Sequence, residues 1–158
     1  AVDEFGRSSV PGLYFTGDAA GAPMVANRAM AQARIAGLHT AGASPAPYRP
    51  DTVIAAIYTE PQVAQVGTLA GEGIQTVEIP FDTSLKTHLL PETEGFVKLA
   101  YNNKRQVVGG LAVGAHAADV LAPVALAIQV DAGLDDLASL YGAHPTVSEL
   151  AFAAARAV

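Results

Sequence analysis

The spacing of apolar residues changes character along the chain, and each change marks an element. Leu13-Tyr14-Phe15 is a short apolar run that follows the turn dipeptide Pro11-Gly12 and stops at Thr16-Gly17-Asp18, so it predicts a strand. From 23 to about 40 the pattern is helical, with Met24, Met30 and Leu38 set among many alanines that suit close packing. Pro23 fits the first helical position, where its missing N–H costs nothing. Residues 41–51, "AGASPAPYRPD", are small and proline-containing and read as a linker.

Beyond the linker the composition of the apolar runs changes. "TVIAAIYT", "QVAQVG", "IQTVEIPFD", "GFVKLAY" and "QVVGGLAVGA" are rich in β-branched and aromatic residues, so five strands are expected. "YNNKRQ" reads as the hairpin loop that joins the last two. A helix is expected from about 118 to 132, with Leu121, Val124, Ala125 and Ile128 on one face. If Asp119 caps it, Pro123 falls in the tolerated first turn; otherwise the proline kinks it. Shorter helices follow at 134–140 and from about 147. Strands first and helices last point to an α+β fold: one antiparallel sheet with helices on one face.

Composition limits the partners. With 51% hydrophobic and 15% charged residues over 158 positions, the chain can bury a core. A net charge of -6 and only 9 scattered basic residues argue against nucleic acid or an anionic membrane. No apolar run approaches a bilayer span and no basic-then-apolar leader opens the chain, so a soluble, cytoplasmic protein is expected. The lack of cysteine excludes disulfides, thiolate metal ligands and any dithiol redox cycle carried by this chain alone. Ala rather than Met at position 1 hints at a fragment of something longer.

Two segments carry candidate chemistry. In "GAHPTVSEL", His144 precedes a proline and is expected to be extended, its ring held away from the following helix. Thr146 and Glu149 match S/T-x-x-E, a capping box for the terminal helix. Glu149 could instead orient and charge the His144 imidazole as a general acid/base. The two uses compete for one carboxylate, whose two oxygens allow sharing. In "LYFTGDAAGAPMVANRA", Asp18 can accept hydrogen bonds from sugar-like hydroxyls, and Gly17 and Gly21 let a ligand approach the backbone. The helix start beyond offers N–H groups and a positive dipole end. An ordinary turn aspartate is the bland alternative for Asp18. His39, His88 and His116 lack metal-ligand spacing and read as structural or solvated, so no metal site is expected. Ser148 lacks a G-x-S-x-G elbow, which sets a Ser-His hydrolase aside.

Taken together, the segments resemble the C-terminal third of the FAD-dependent pyridine nucleotide–disulfide oxidoreductases, the family of dihydrolipoamide dehydrogenase and glutathione reductase. "SSVPGLYFTGDAAGAPMVANRA" is similar to the second FAD-binding segment, "YTEPQVAQVG" to the opening of the interface (dimerisation) domain, and "GAHPTVSE" to its closing active-site motif. The resemblance implies that 1–45 are the last strand and helix of the FAD-binding domain and 46–158 the interface domain. It assigns Gly17 and Asp18 to the FAD site, Asp18 at the ribityl chain, with backbone N–H groups near Met24, Val25 and Ala26 at the pyrimidine end. It makes His144 the acid/base toward a dithiol in the partner subunit of a homodimer, with Glu149 holding its tautomer. FAD and NAD(P) are implied as cofactors, and a disulfide or dithiol as substrate. His144 stands where mercuric reductases and soluble transhydrogenases usually have Tyr, and "HPTVSE" is closest to the dihydrolipoamide dehydrogenase-like form. Asn27 stands where such dehydrogenases often have His, and "TLAGEGIQ" is shorter and more glycine-broken than the acidic helix usual there. The redox cysteines, the N-terminal G-x-G-x-x-G loop and the NAD(P) domain would lie upstream. The chain alone is therefore expected to be catalytically silent. The alternative is a stand-alone, non-catalytic dimerisation or regulatory module; a small enzyme built on His144 and Glu149 alone has no nucleophile or metal to support it.

Overall fold

Where β-branched and aromatic residues are concentrated, the chain forms a sheet. The structure, a computed structural model, describes residues 1–91 and 93–158. Two units are distinct, Ala1–Val53 and Ile54–Val158.

In the first unit the expected strand at Leu13-Tyr14-Phe15 shrinks to a single bridge between Arg7 and Tyr14. Ser8 N–H donates to the Leu13 carbonyl and Phe15 N–H to that of Gly6, so only residues 6–8 lie alongside it. A ladder this short cannot propagate a strand. A 3-10 turn, Gly17–Ala20, follows, and then the helix α1, Ala26–Thr40. The helix starts three residues later than Pro23. The carbonyls of Ala20, Gly21 and Pro23 are held by the Arg28 guanidinium, which keeps this segment as a loop. His39 is structural, in the last turn of α1: its ring stacks on Phe5 at 4.7 Å and its Nδ1 lies 2.8 Å from the Tyr14 hydroxyl.

In the second unit all five expected strands form. They are β1 Ala55–Ile57, β2 Val63–Gly67, β3 Ile74–Pro80, β4 Phe96–Asn102 and β5 Val107–Val113. All pairs are antiparallel, in the order β1-β2-β5-β4-β3. The register aligns Ala56, Ala64, Ala112, Val97 and Ile79 in one row across the sheet, and Val66, Gly110, Leu99 and Val77 in the next. These rows share one face because side chains alternate with period two. On it sit Leu121, Val124 and Ile128, with Leu150 and Ala151 from the C-terminal helix, in one buried core. A Cβ at Gly110 would meet Val124 and Leu121 at 3.0 and 3.1 Å, so the absent side chain lets the helix layer close on the strand. The opposite face carries Gln65 and the Lys98–Glu78 pair, 3.1 Å apart, beside Ile57, Val63, Phe96 and Val113.

The helix expected at 118–132 divides. α2, Ala117–Val120, and α3, Ala122–Gln129, meet at Leu121, and Pro123 falls in the first turn of α3. Asp119 does not cap; it lies inside α2, 3.3 Å from His116 Nδ1. The break lets both proline and the buried face of Leu121, Val124 and Ile128 be accommodated. α4, Leu134–Ala138, starts where Asp136 takes the Gly133 N–H at 2.8 Å. α5, Glu149–Arg156, packs on β3 and β4. Among the described residues no helix is long and apolar enough to cross a membrane.

Candidate active site

His144 enters from the turn before α5, and the helix itself supplies its partner. Glu149 is the first residue of α5, five positions on, and its side chain turns back over the turn. The Nδ1 of His144 lies 3.0 Å from Oε1, while Oε2 accepts the Thr146 N–H at 2.8 Å. The ring is therefore tied to the helix start rather than held away from it. Only half of the capping box forms: Thr146 turns its hydroxyl back to the Ala143 carbonyl at 2.9 Å instead of to the helix. Ser148 takes the cap position without a side-chain bond, because the helix begins three residues beyond Thr146, at Glu149.

The electrostatics follow from this sharing. The Thr146 N–H above all holds the Glu149 carboxyl below its ordinary value; burial opposes it, and the hydrogen bond and charge of His144 add to the lowering. The imidazole stands open, 64% exposed, while Glu149 is 27% exposed. A cavity of about 140 Å³ opens beside the pair, walled by Thr83, Ser84 and Leu85 from the β3–β4 connection and by Arg156. Arg156 holds the carbonyls of Ala138 and Leu140 and lies 5.0 Å from the Tyr141 ring centre, which fixes the segment leading to His144.

Sequence reading missed Ser84, Thr87 and Arg156. The polar residues of 81–90 look like ordinary loop residues in sequence. Folded, Thr87 is fully buried and Ser84 nearly so, with its hydroxyl 3.2 Å from the Thr146 carbonyl.

In the first unit Asp18 sits exposed in the 3-10 turn. Gly17 is buried with φ +62, and an added Cβ would lie 2.8 Å from that of Ala29, so the turn needs glycine where it meets α1. Its N–H donates to Gln32 at 2.8 Å. Arg28 and Gln32, both under one-tenth exposed, thus fix the loop from the helix. Neither is singled out by sequence. Val25 caps α1 without a side-chain bond, and its N–H donates to the Pro23 carbonyl at 3.1 Å. Met24 and Ala26 flank it, both exposed. No group of three or more His, Cys, Asp or Glu is placed to hold a metal among the described residues.

An antiparallel five-stranded sheet backed by helices, with an imidazole–carboxylate pair beside the start of its last helix, defines an α+β domain. Residues 53–155 match the family model "pyridine nucleotide-disulphide oxidoreductase, dimerisation domain". The chain belongs to that family. It is 32% identical to dihydrolipoyl dehydrogenase 2 of Haloarcula marismortui over 99% of this chain and 34% of that protein. It is 31% identical to an NAD(P)H dehydrogenase (quinone) of Mycobacterium tuberculosis, over 98% of this chain and 33% of that protein. Among solved structures it matches LpdA from Mycobacterium tuberculosis with a TM-score of 0.90 at 30% identity, covering 99% of this chain and 36% of that one. The flavoprotein disulfide reductase RclA from Escherichia coli shares the fold, with a TM-score of 0.87 at 18% identity, over 100% of this chain and 38% of that one. The chain thus spans about a third of the length of the curated relatives it matches.

Proposed function

We propose that the chain is the interface domain, preceded by the last segment of the FAD-binding domain, of an FAD-dependent, NAD(P)H-linked disulfide oxidoreductase of dihydrolipoamide dehydrogenase type. In this reading 1–45 belong to the FAD-binding part and 46–158 to the interface domain. Two copies form a homodimer, and each offers His144 to the redox cysteines of the other subunit. The supporting observation is the His144–Glu149 pair: Nδ1 is engaged by the carboxylate and the ring stays open, on a chain without cysteine.

Reducing a disulfide to a dithiol with NAD(P)H consumes one proton besides the hydride. Thiol exchange needs that proton delivered to sulfur and, in reverse, removed from it. An imidazole titrates near neutrality and suits the task. With Nδ1 on Glu149, Nε2 is the atom that exchanges the proton. The carboxylate fixes the tautomer and stabilises the imidazolium.

FAD, when bound, would supply the electron path between nicotinamide and disulfide. The residues present fit it: the exposed Asp18 carboxylate is an acceptor for ribityl hydroxyls, and Gly17 shapes the turn that presents it. The start of α1 has no side-chain cap, which suits the negatively charged end of a reduced flavin. Met24, Val25 and Ala26 would bring their backbone to that end, Met24 and Ala26 foremost because the Val25 N–H is turned to Pro23.

The test is His144→Gln in the full-length protein, with thiol–disulfide exchange and FAD content measured together. Loss of exchange at unchanged FAD content supports the reading. Equal loss of both would make His144 a structural residue.

A further inference from the structure

We propose that Ser84 is a positioning residue that sets the tautomer of His144 by holding Thr146 and, through it, Glu149. The inference rests on the reading of His144 as the acid/base and adds a second element to its support.

Ser84 lies in the β3–β4 connection, 62 positions before Thr146. It is 7% exposed. Its Oγ accepts the Lys86 N–H at 3.2 Å, so its single hydrogen is left for the Thr146 carbonyl, also at 3.2 Å. The hydroxyl is anchored by a stiff loop. Thr87, fully buried, places Oγ1 2.7 Å from the carbonyls of both Phe81 and Ser84, and the Phe81 N–H donates to Gly95 at 3.0 Å. Ser84 is therefore a fixed point rather than a mobile loop side chain.

Thr146 is gripped on three sides: carbonyl by Ser84, hydroxyl on Ala143, and N–H on Glu149 Oε2. Pinning Oε2 turns the carboxylate so that both oxygens face Nδ1, Oε1 at 3.0 Å and Oε2 at 3.3 Å. Freeing the Thr146 carbonyl lets this turn shift, and the carboxylate loses its alignment with the ring. Removing the buried hydroxyl at 84 strands the Thr146 carbonyl that it satisfies.

The test reads the ring and not the reaction. Nitrogen and carbon NMR of His144 in the full 158-residue chain, at a pH where the ring is neutral, reports the ratio of Nδ1–H to Nε2–H forms. The wild-type ring should be mainly Nδ1–H. Ser84→Ala should lower the ratio about fivefold, the change that one ordinary hydrogen bond supports. Ser84→Thr, which keeps the hydroxyl, should restore it. If Ser84→Ala does not fold, Ser84→Cys keeps the volume with a much weaker donor and should show the same fall. An unchanged ratio in a folded Ala or Cys variant overturns the proposal. So does an equal fall in Ser84→Thr, which would mean packing alone, or a wild-type ring without an Nδ1–H excess. Failure of the underlying reading shows differently: dithiol exchange in the full-length protein would survive His144→Gln while the tautomer still responded to Ser84.

Discussion

The carboxylate of Glu149 faces the imidazole of His144 across 3.0 Å and, with its other oxygen, holds the Thr146 N–H at 2.8 Å. Helix start and ring orientation therefore depend on one side chain. A change at 149 removes both contacts, whereas a change at 144 leaves the Thr146 N–H on the carboxylate.

That asymmetry separates two variants of the full-length protein. His144→Gln should slow dithiol exchange by about 10²–10⁴-fold, the range for losing a general acid/base, with a smaller fall in melting temperature than Glu149→Gln, because the Thr146 contact to the carboxylate remains. Glu149→Gln should slow exchange less, because the imidazole remains, and should also lower the melting temperature. Stopped-flow exchange rates and thermal melts on the same samples check both.

Stability should depend on pH through Glu149. Its carboxyl sits below the ordinary 4.5 because of the Thr146 N–H first and His144 second, so the folded state binds this proton less tightly than the unfolded state. The contribution is fully present above about 4.5 and is lost as pH falls through the lowered folded value. Melting temperatures of wild type and Glu149→Gln should differ at pH 6 and converge in that acid window. A constant difference down to pH 3 would contradict it.

Gln32→Leu should destabilise the first unit by about 1–3 kcal/mol, since it strands the buried Gly17 N–H. Amide exchange at Gly17 should accelerate strongly while amides of β4 are unaffected. In the full-length protein the same change should weaken FAD retention, since Gly17 and Asp18 share one turn.

Leu99→Ala should cost about 2–5 kcal/mol by urea unfolding. Leu99 is fully buried, and of its two cross-strand neighbours, Val77 and Gly110, the second has no side chain to fill the hole. A loss below 1 kcal/mol would mean that α3 moves in to close the gap.

The 158-residue chain by itself should be a homodimer without submicromolar FAD affinity. Light scattering and a flavin fluorescence titration check the two halves separately. A monomer at high concentration would count against the interface role, and tight FAD binding against the incomplete-site reading.

Much of this molecule is written in short stretches of its sequence. The five strands were legible because β-branched and aromatic residues are concentrated there between turn residues, and the fold buries alternate ones, Ala64 with Val66 and Val97 with Leu99. Thr146-x-x-Glu149 marked the final helix, and the nearness of His144 to Glu149 in sequence made their pairing foreseeable. Tertiary structure decided what depends on distant partners. The run Leu13-Tyr14-Phe15 has strand composition but little to pair with in its own unit, and the helix face around Leu121 divides so that Pro123 opens a new turn. Whether Glu149 served the cap or the ring was open in the sequence, and the fold lets it serve both. Arg28, Gln32 and Ser84 are ordinary polar residues until loop carbonyls and N–H groups are buried against them. A period can be read within a dozen residues, but the satisfaction of a buried hydrogen bond spanning 62 positions exists only once the chain has folded.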